Sequence, residues 1–111
     1  MDIKDTIKIS EKFSKALGAR YITDGEFSGQ AFLEGILLSR FEKAVLENYI
    51  LLVDLNDLHG FPASFVSGSF GKLSVLKGAE LVLKHIDFKT DDNKLRAEKA
   101  VREIKNPRKE R

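Results

Sequence analysis

The run Tyr49-Ile50-Leu51-Leu52-Val53-Asp54-Leu55 decides the fold class. It is almost unbroken in apolar residues and does not alternate. Such runs belong to central strands buried on both faces, which are typical of parallel sheets covered by helices. By contrast, Thr6-Ile7-Lys8-Ile9 alternates with a period of two, as a strand with one wet face does. Asn56-Asp57-Leu58-His59-Gly60 follows the central strand as a loop at its C-terminal end. In open α/β sheets, sites are usually built at that end.

Helices flank this strand in the sequence. Ser28-Gly29 opens the clearest one, which runs to about Asn48. Phe32, Leu33, Ile36, Leu37, Phe41, Ala44 and Val45 form its apolar stripe. Ser28 is placed to cap it, its hydroxyl accepting an otherwise unpaired backbone N–H. Gly35 inside that helix costs about 1 kcal/mol relative to alanine, which a close neighbour would explain. A second helix follows Phe61. Pro62 suits its first turn, where a missing N–H costs nothing. Phe65, Val66, Phe70, Leu73 and Leu76 point inward, Gly68 and Gly71 suggest close approach to the sheet, and Gly78 ends it near residue 77. A third helix spans about Asn93 to Lys105, opened by Thr90-Asp91-Asp92-Asn93 and stopped before Pro107.

Three shorter signals complete the order. Phe13, Ala16 and Leu17 form a short helical turn ended by Gly18. Arg20-Tyr21-Ile22-Thr23 reads as a strand before an Asp24-Gly25 turn, and Glu80-Leu81-Val82-Leu83-Lys84 as the last strand. The expectation is β-β-α-β-α-β-α: one α/β domain with a mixed, mostly parallel sheet flanked by about three helices.

Length and composition fit that reading. The chain has 111 residues, one domain's worth, with 42% hydrophobic and 32% charged residues. It lacks cysteine, which excludes disulfides, thiolate metal sites and a cysteine nucleophile. The start, Met1-Asp2-Ile3-Lys4-Asp5, lacks the apolar core of a signal peptide, and no stretch is long and apolar enough for a membrane span. A cytoplasmic location, without membrane association, is therefore expected. The net charge is only +2, but it is unevenly placed. From Asn93 onward, eight cations face three carboxylates, a net +5, leaving −3 for the remainder. That asymmetry marks either a solvated basic helix or an acidic partner, nucleic acid included. No aromatic residue follows Phe88 to stack on bases.

The motifs of enzymes are mostly missing. There is neither a Walker-type phosphate loop nor a Gly-x-Ser-x-Gly elbow, since Ser67-Gly68-Ser69-Phe70-Gly71 falls inside a helix. The histidines are His59, at the candidate edge, and His85, read as packing or surface. Glu26, Asp54 and Asp57 are the carboxylates that could meet, and no spacing supports a metal site. No cofactor and no catalytic residue is assigned. Ser64 stands out differently. It lies in the first turn of the second helix, where free N–H groups and the helix dipole favour an anion such as a phosphoryl group.

The residues Gly18-Ala19-Arg20-Tyr21, Ser28-Gly29-Gln30-Ala31-Phe32, Val53-Asp54-Leu55 and Ser64-Phe65-Val66-Ser67-Gly68-Ser69-Phe70-Gly71 occur in an order and spacing that carry a resemblance. Over about residues 7–105 the chain resembles the small bacterial and phage-associated STAS-like domains, a family of unknown function related to anti-sigma-factor antagonists. The resemblance implies a single STAS-like domain over residues 1–111, with a basic C-terminal helix and short tail from about residue 93. It implies a non-enzymatic regulatory module that binds a histidine-kinase-like ATPase or another regulatory protein. In those relatives the ATPase phosphorylates a serine at the start of the helix after the central strand, and the pair dissociates. Ser64 is the matching candidate phosphoacceptor. Here Pro62-Ala63-Ser64-Phe65 stands where the better-known relatives have Asp-Ser-Ser-Gly. The expected partner-binding edge is Asp54, Asn56, Asp57, His59, Gly60 and Phe61, with Phe61 as an anchor. The alternatives are a nucleic-acid-associated adaptor using the basic helix, and a small enzyme with His59 as acid or base.

Overall fold

The computed structural model describes residues 1–108. Strand β1 spans Ile3–Lys8, β2 spans Ile50–Asp54 and β3 spans Ile86–Lys89. They form a three-stranded sheet in the order β1-β2-β3, with both pairings parallel. The apolar run is thus the central strand, as its composition predicts, and the described sheet is wholly parallel. A short helix α1, Ile9–Lys12, follows β1 directly.

Helix α2 begins as Gly29–Phe32, widens into a π-turn at Leu33–Leu37 and continues as Leu38–Glu47. Ser28 caps it as expected, accepting the Ala31 N–H at 3.1 Å. Asn48, with φ 57°, ends it in the left-handed conformation that asparagine tolerates. Helix α3 is built the same way: Ala63–Val66, a π-turn at Ser67–Gly71, then Lys72–Lys77. Pro62 stands just before it, and Gly78, at φ 92°, breaks the chain into α4, Ala79–His85. Helix α5 spans Leu95–Lys105.

Two expected strands are absent. Glu80–Lys84 lies in α4, because Val82 and His85 are buried three residues apart on one helical face while Glu80 and Lys84 face water. A three-residue Leu/Val run between Glu80 and Lys84 does not separate the two periods, and β2 pairs instead with Ile86–Lys89. Arg20–Thr23 is no strand either. Tyr21 and Ile22 are exposed, Ile22–Asp24 forms a 3₁₀ turn, and the Ile22 N–H donates to Gln30 Oε1 at 2.9 Å.

The core lies on one side of the sheet. Ile7, Leu51, Val53, Ile86 and Phe88 face α2, α3 and α4. In a parallel sheet with strands in sequential order, crossovers of one hand carry both helical connections to the same side, and α5 packs on α3 and α4. Ile50 and Leu52 point the other way, sharing rows with Ile3, Thr6 and Asp87. They are half-exposed and lie outside the core cluster. The expectation of a central strand buried on both faces therefore fails for Ile50 and Leu52, two of its five side chains. Seven of the eight phenylalanines form a continuous set of ring contacts joining α2, α3 and β3 to the segment after β1.

The glycines act between helices. A Cβ on Gly29 would fall on the Phe65 carbonyl oxygen and 2.8 Å from backbone atoms of Gly68 and Ser69. One on Gly68 would stand 2.6 Å from the Arg20 carbonyl oxygen, and one on Gly71 3.0 Å from Glu103. The close approach expected at Gly68 and Gly71 is real, but it is to a loop and to α5 rather than to the sheet. Gly35 has open space around it, so no close neighbour explains it.

Candidate functional site

The loop after β2 is held by hydrogen bonds from every side. Asp54, only 9% exposed, accepts the Asn56 N–H at 2.9 Å, a turn closed by a side chain. The Asn56 side chain then reaches the loop after β3: its Nδ2 donates to Asp91, and its Oδ1 accepts the Asp91 and Asp92 N–H groups. The Asp57 N–H donates to Asp92 at 3.1 Å, and the His59 N–H to the Lys15 carbonyl at 2.9 Å. Helix α5 completes the frame. Arg96 donates to the carbonyls of Leu55 at 3.1 Å and Leu58 at 2.9 Å, and Lys99 to that of Phe61 at 2.6 Å.

These bonds sort the expected partner-binding residues. Asp57 and His59 are exposed, and Asn56, Gly60 and Ser64 are half-buried. Asp54 and Phe61 are buried. Phe61 packs its ring against Phe65 and Phe70, so it is a core residue and not a free anchor. The carboxylates Glu26, Asp54 and Asp57 do not converge, and among the described residues no His, Cys, Asp and Glu cluster could hold a metal ion. His85 is buried, its Nδ1 donating to the Tyr49 carbonyl at 2.9 Å and its ring set edge-on to Phe41. His59, Gly60, Phe61, Arg96, Lys99 and Arg102 border a cleft of about 520 Å³ between the loop and α5.

Ser64 is the second residue of α3. The first N–H to donate into this helix is that of Val66, to Pro62, which leaves the earlier ones free. Ser64 makes no cap, because the cap position is Pro62. Lys99 and Arg102 line a second cleft with Ala63 and Val66, beside that helix start.

The organising cations were not among the expected site residues. Arg96 and Lys99 belong to the helix whose charge suggests a nucleic-acid surface, yet both donate to loop carbonyls. Buried carbonyls at a strand's end need donors, and that is the signal by which a facing basic helix can be read. The last three residues of the basic tail, Lys109, Glu110 and Arg111, lie outside the described residues.

Lys8 is a further organiser. Its Nζ stands 2.7 Å from Asp57, whose φ of 66° is left-handed. The hydrogen bond from Lys8, and then its charge, hold the Asp57 carboxyl below its usual range; the same bond holds the Lys8 ammonium above its own. The Asp57 contribution to stability is present above the ordinary carboxylate range and lost as pH falls through the lowered value. That of Lys8 is present below the ordinary lysine range and lost as pH rises through the raised one. Asp57→Asn keeps a residue at home at positive φ while removing the charge. Its melting temperature is expected to fall furthest below wild type near neutral pH, with the gap closing at both extremes. A gap independent of pH would show that the ion pair contributes nothing.

Comparison with protein families, with curated proteins and with solved structures finds no match to this chain.

Proposed function

We propose that this chain is a non-enzymatic regulatory interaction module, similar to anti-sigma-factor antagonists and switched by phosphorylation of Ser64. The observation that carries the reading is the state of Ser64: half-buried in the first turn of α3, capping nothing, beside free backbone N–H groups. The partner is a histidine-kinase-like ATPase. The γ-phosphoryl group of ATP passes to Ser64 Oγ, the hydroxyl proton is lost and ADP leaves. The phosphate adds about −1.5 to −2 charges, which the helix start accommodates. A partner surface that covers Ser64 must then bury that charge, so the complex separates while the fold survives. The pre-set loop from Asn56 to Gly60 supplies the rest of the contact surface, with Asp57 and His59 as its exposed side chains.

The test compares wild type, Ser64→Ala and Ser64→Asp, together with mass spectrometry of the chain isolated from its own cell. Ser64→Ala should melt within about 0.5 kcal/mol of wild type, since no cap is lost, and should keep its partner. Ser64→Asp should also fold, because a carboxylate suits a helix start, but should release the partner. If Ser64→Asp binds as tightly as wild type and no phosphate is found on Ser64, the switch is wrong and the module is constitutive.

A further inference from the structure

The sheet has two edge strands, β1 and β3, and they differ. The outer strand β1 is interrupted by a register shift between Ile3 and Asp5, a device that discourages pairing with another chain. Strand β3 has no such break. Its neighbours in the fold are β2 on one side and α4 above it.

The direction of its backbone groups follows from two bonds. The Lys89 carbonyl accepts the Leu55 N–H at 2.8 Å, so residue 89, and with it 87, turns its backbone toward β2. Ile86 and Phe88 therefore turn theirs outward. The Phe88 N–H agrees with this: it donates to the Asp87 side chain at 3.0 Å, a makeshift partner for a group that no strand serves. On either side of Phe88 stand exposed charges of opposite sign, Asp87 and Lys89.

We propose that β3 pairs with β3 of a second copy, antiparallel about a two-fold axis at Phe88, joining two sheets into one of six strands. In that register the Phe88 N–H and C=O of each copy bond the C=O and N–H of the other. Each Asp87 then stands across from Lys89 of the second copy, so the pairing makes the same opposite-charge contact twice. The Asp87 carboxylate gives up the Phe88 N–H to that carbonyl and is freed for the lysine. Phe88 meets its own equivalent on the helix-covered side, where it already packs on Phe70. The sequence Ile86-Asp87-Phe88-Lys89 is self-complementary only in this antiparallel alignment.

Charge exchange tests the pairing directly. Sedimentation of the full chain, from micromolar to millimolar concentration, should move from one-chain to two-chain mass. Asp87→Lys and Lys89→Asp, each alone, set like charges opposite one another and should weaken self-association roughly ten-fold or more. Mixed in equal amounts, the two single variants should regain it. The lysine introduced at position 87 of one chain then faces the aspartate introduced at position 89 of the other, and the native Lys89 of the first faces the native Asp87 of the second. The double variant Asp87→Lys, Lys89→Asp should associate as wild type does. Recovery on mixing also shows that the single variants are folded. A wild type that keeps one-chain mass throughout would overturn the proposal, as would self-association indifferent to the two single variants.

Discussion

Gly29→Ala is expected to lower the melting temperature by roughly 10 °C, and Gly35→Ala to raise it by a few degrees. The two glycines lie in one helix and differ in what surrounds them. At Gly29, a methyl group would meet three backbone atoms of α3, and backbone does not swing aside as a lysine tip does. One of them is the Phe65 carbonyl oxygen, already fixed by a 2.8 Å hydrogen bond from Ser69 Oγ. The N-terminus of α2 also holds the loop before it, through Gly29 N–H to Ala19 at 3.1 Å and Gln30 N–H to Arg20 at 2.9 Å. Pushing α2 away from α3 strains those bonds as well. Overpacking of this kind costs about 1–3 kcal/mol, and each kcal/mol is worth about 4 °C or more in a domain of this size. At Gly35, nothing lies within 4 Å and the residue is exposed. Alanine there reduces the freedom of the unfolded chain and should stabilise by about 0.5–1 kcal/mol. Thermal melts of the two variants decide the matter. A Gly29→Ala protein that melts with wild type would mean that α2 and α3 are not in backbone contact.

Much of the fold was legible because local signals agreed with the tertiary result. The apolar run placed β2 at the centre, Ser28 marked the start of α2, and Gly78 marked the end of α3. What the sequence hid depends on neighbours. Leu81-Val82-Leu83 is apolar enough for a strand or a buried helix, and the choice falls to whichever residues can reach β2; Ile86–Lys89 win that place. The one-sided sheet was hidden too, because Ile50 and Leu52 look the same in sequence whether a helix covers them or not.

The candidate site was half legible. The loop after β2 was identified by its place at the end of the central strand. Which of its side chains are free was not, because that depends mostly on residues far along the chain. Phe61 reads as an exposed anchor until Phe65 and Phe70 close around it. Asn56 reads as a contact residue until Asp91 and Asp92 bind it. The positive charge of α5 reads as a surface for an acidic partner until Arg96 and Lys99 are seen to serve the fold.

Arg96→Met should therefore unfold the protein more readily than the loss of any other cation in α5. The Arg96 side chain is 13% exposed, and its two terminal nitrogens serve two carbonyls, those of Leu55 and Leu58, with Asp92 at 3.4 Å balancing its charge. Methionine keeps much of the packing volume but donates nothing. Each buried carbonyl left without a donor costs about 1–3 kcal/mol, so the pair costs about 2–6 kcal/mol, or a fall of roughly 10 °C or more. Lys99→Met removes one such bond, to Phe61, and should cost about half as much. Arg96→Lys is no remedy, because a single ammonium does not reproduce a planar fork that reaches two acceptors. The damage should also be local before it is global. With Arg96 gone, the amides of Asp57 and His59, which donate to Asp92 and Lys15, should exchange with solvent faster, while those of β2 keep their protection until the whole chain opens. If Arg96→Met leaves both the melting temperature and those two amides unchanged, the loop is held by its own turn at Asp54 and the basic helix is free to serve a partner after all.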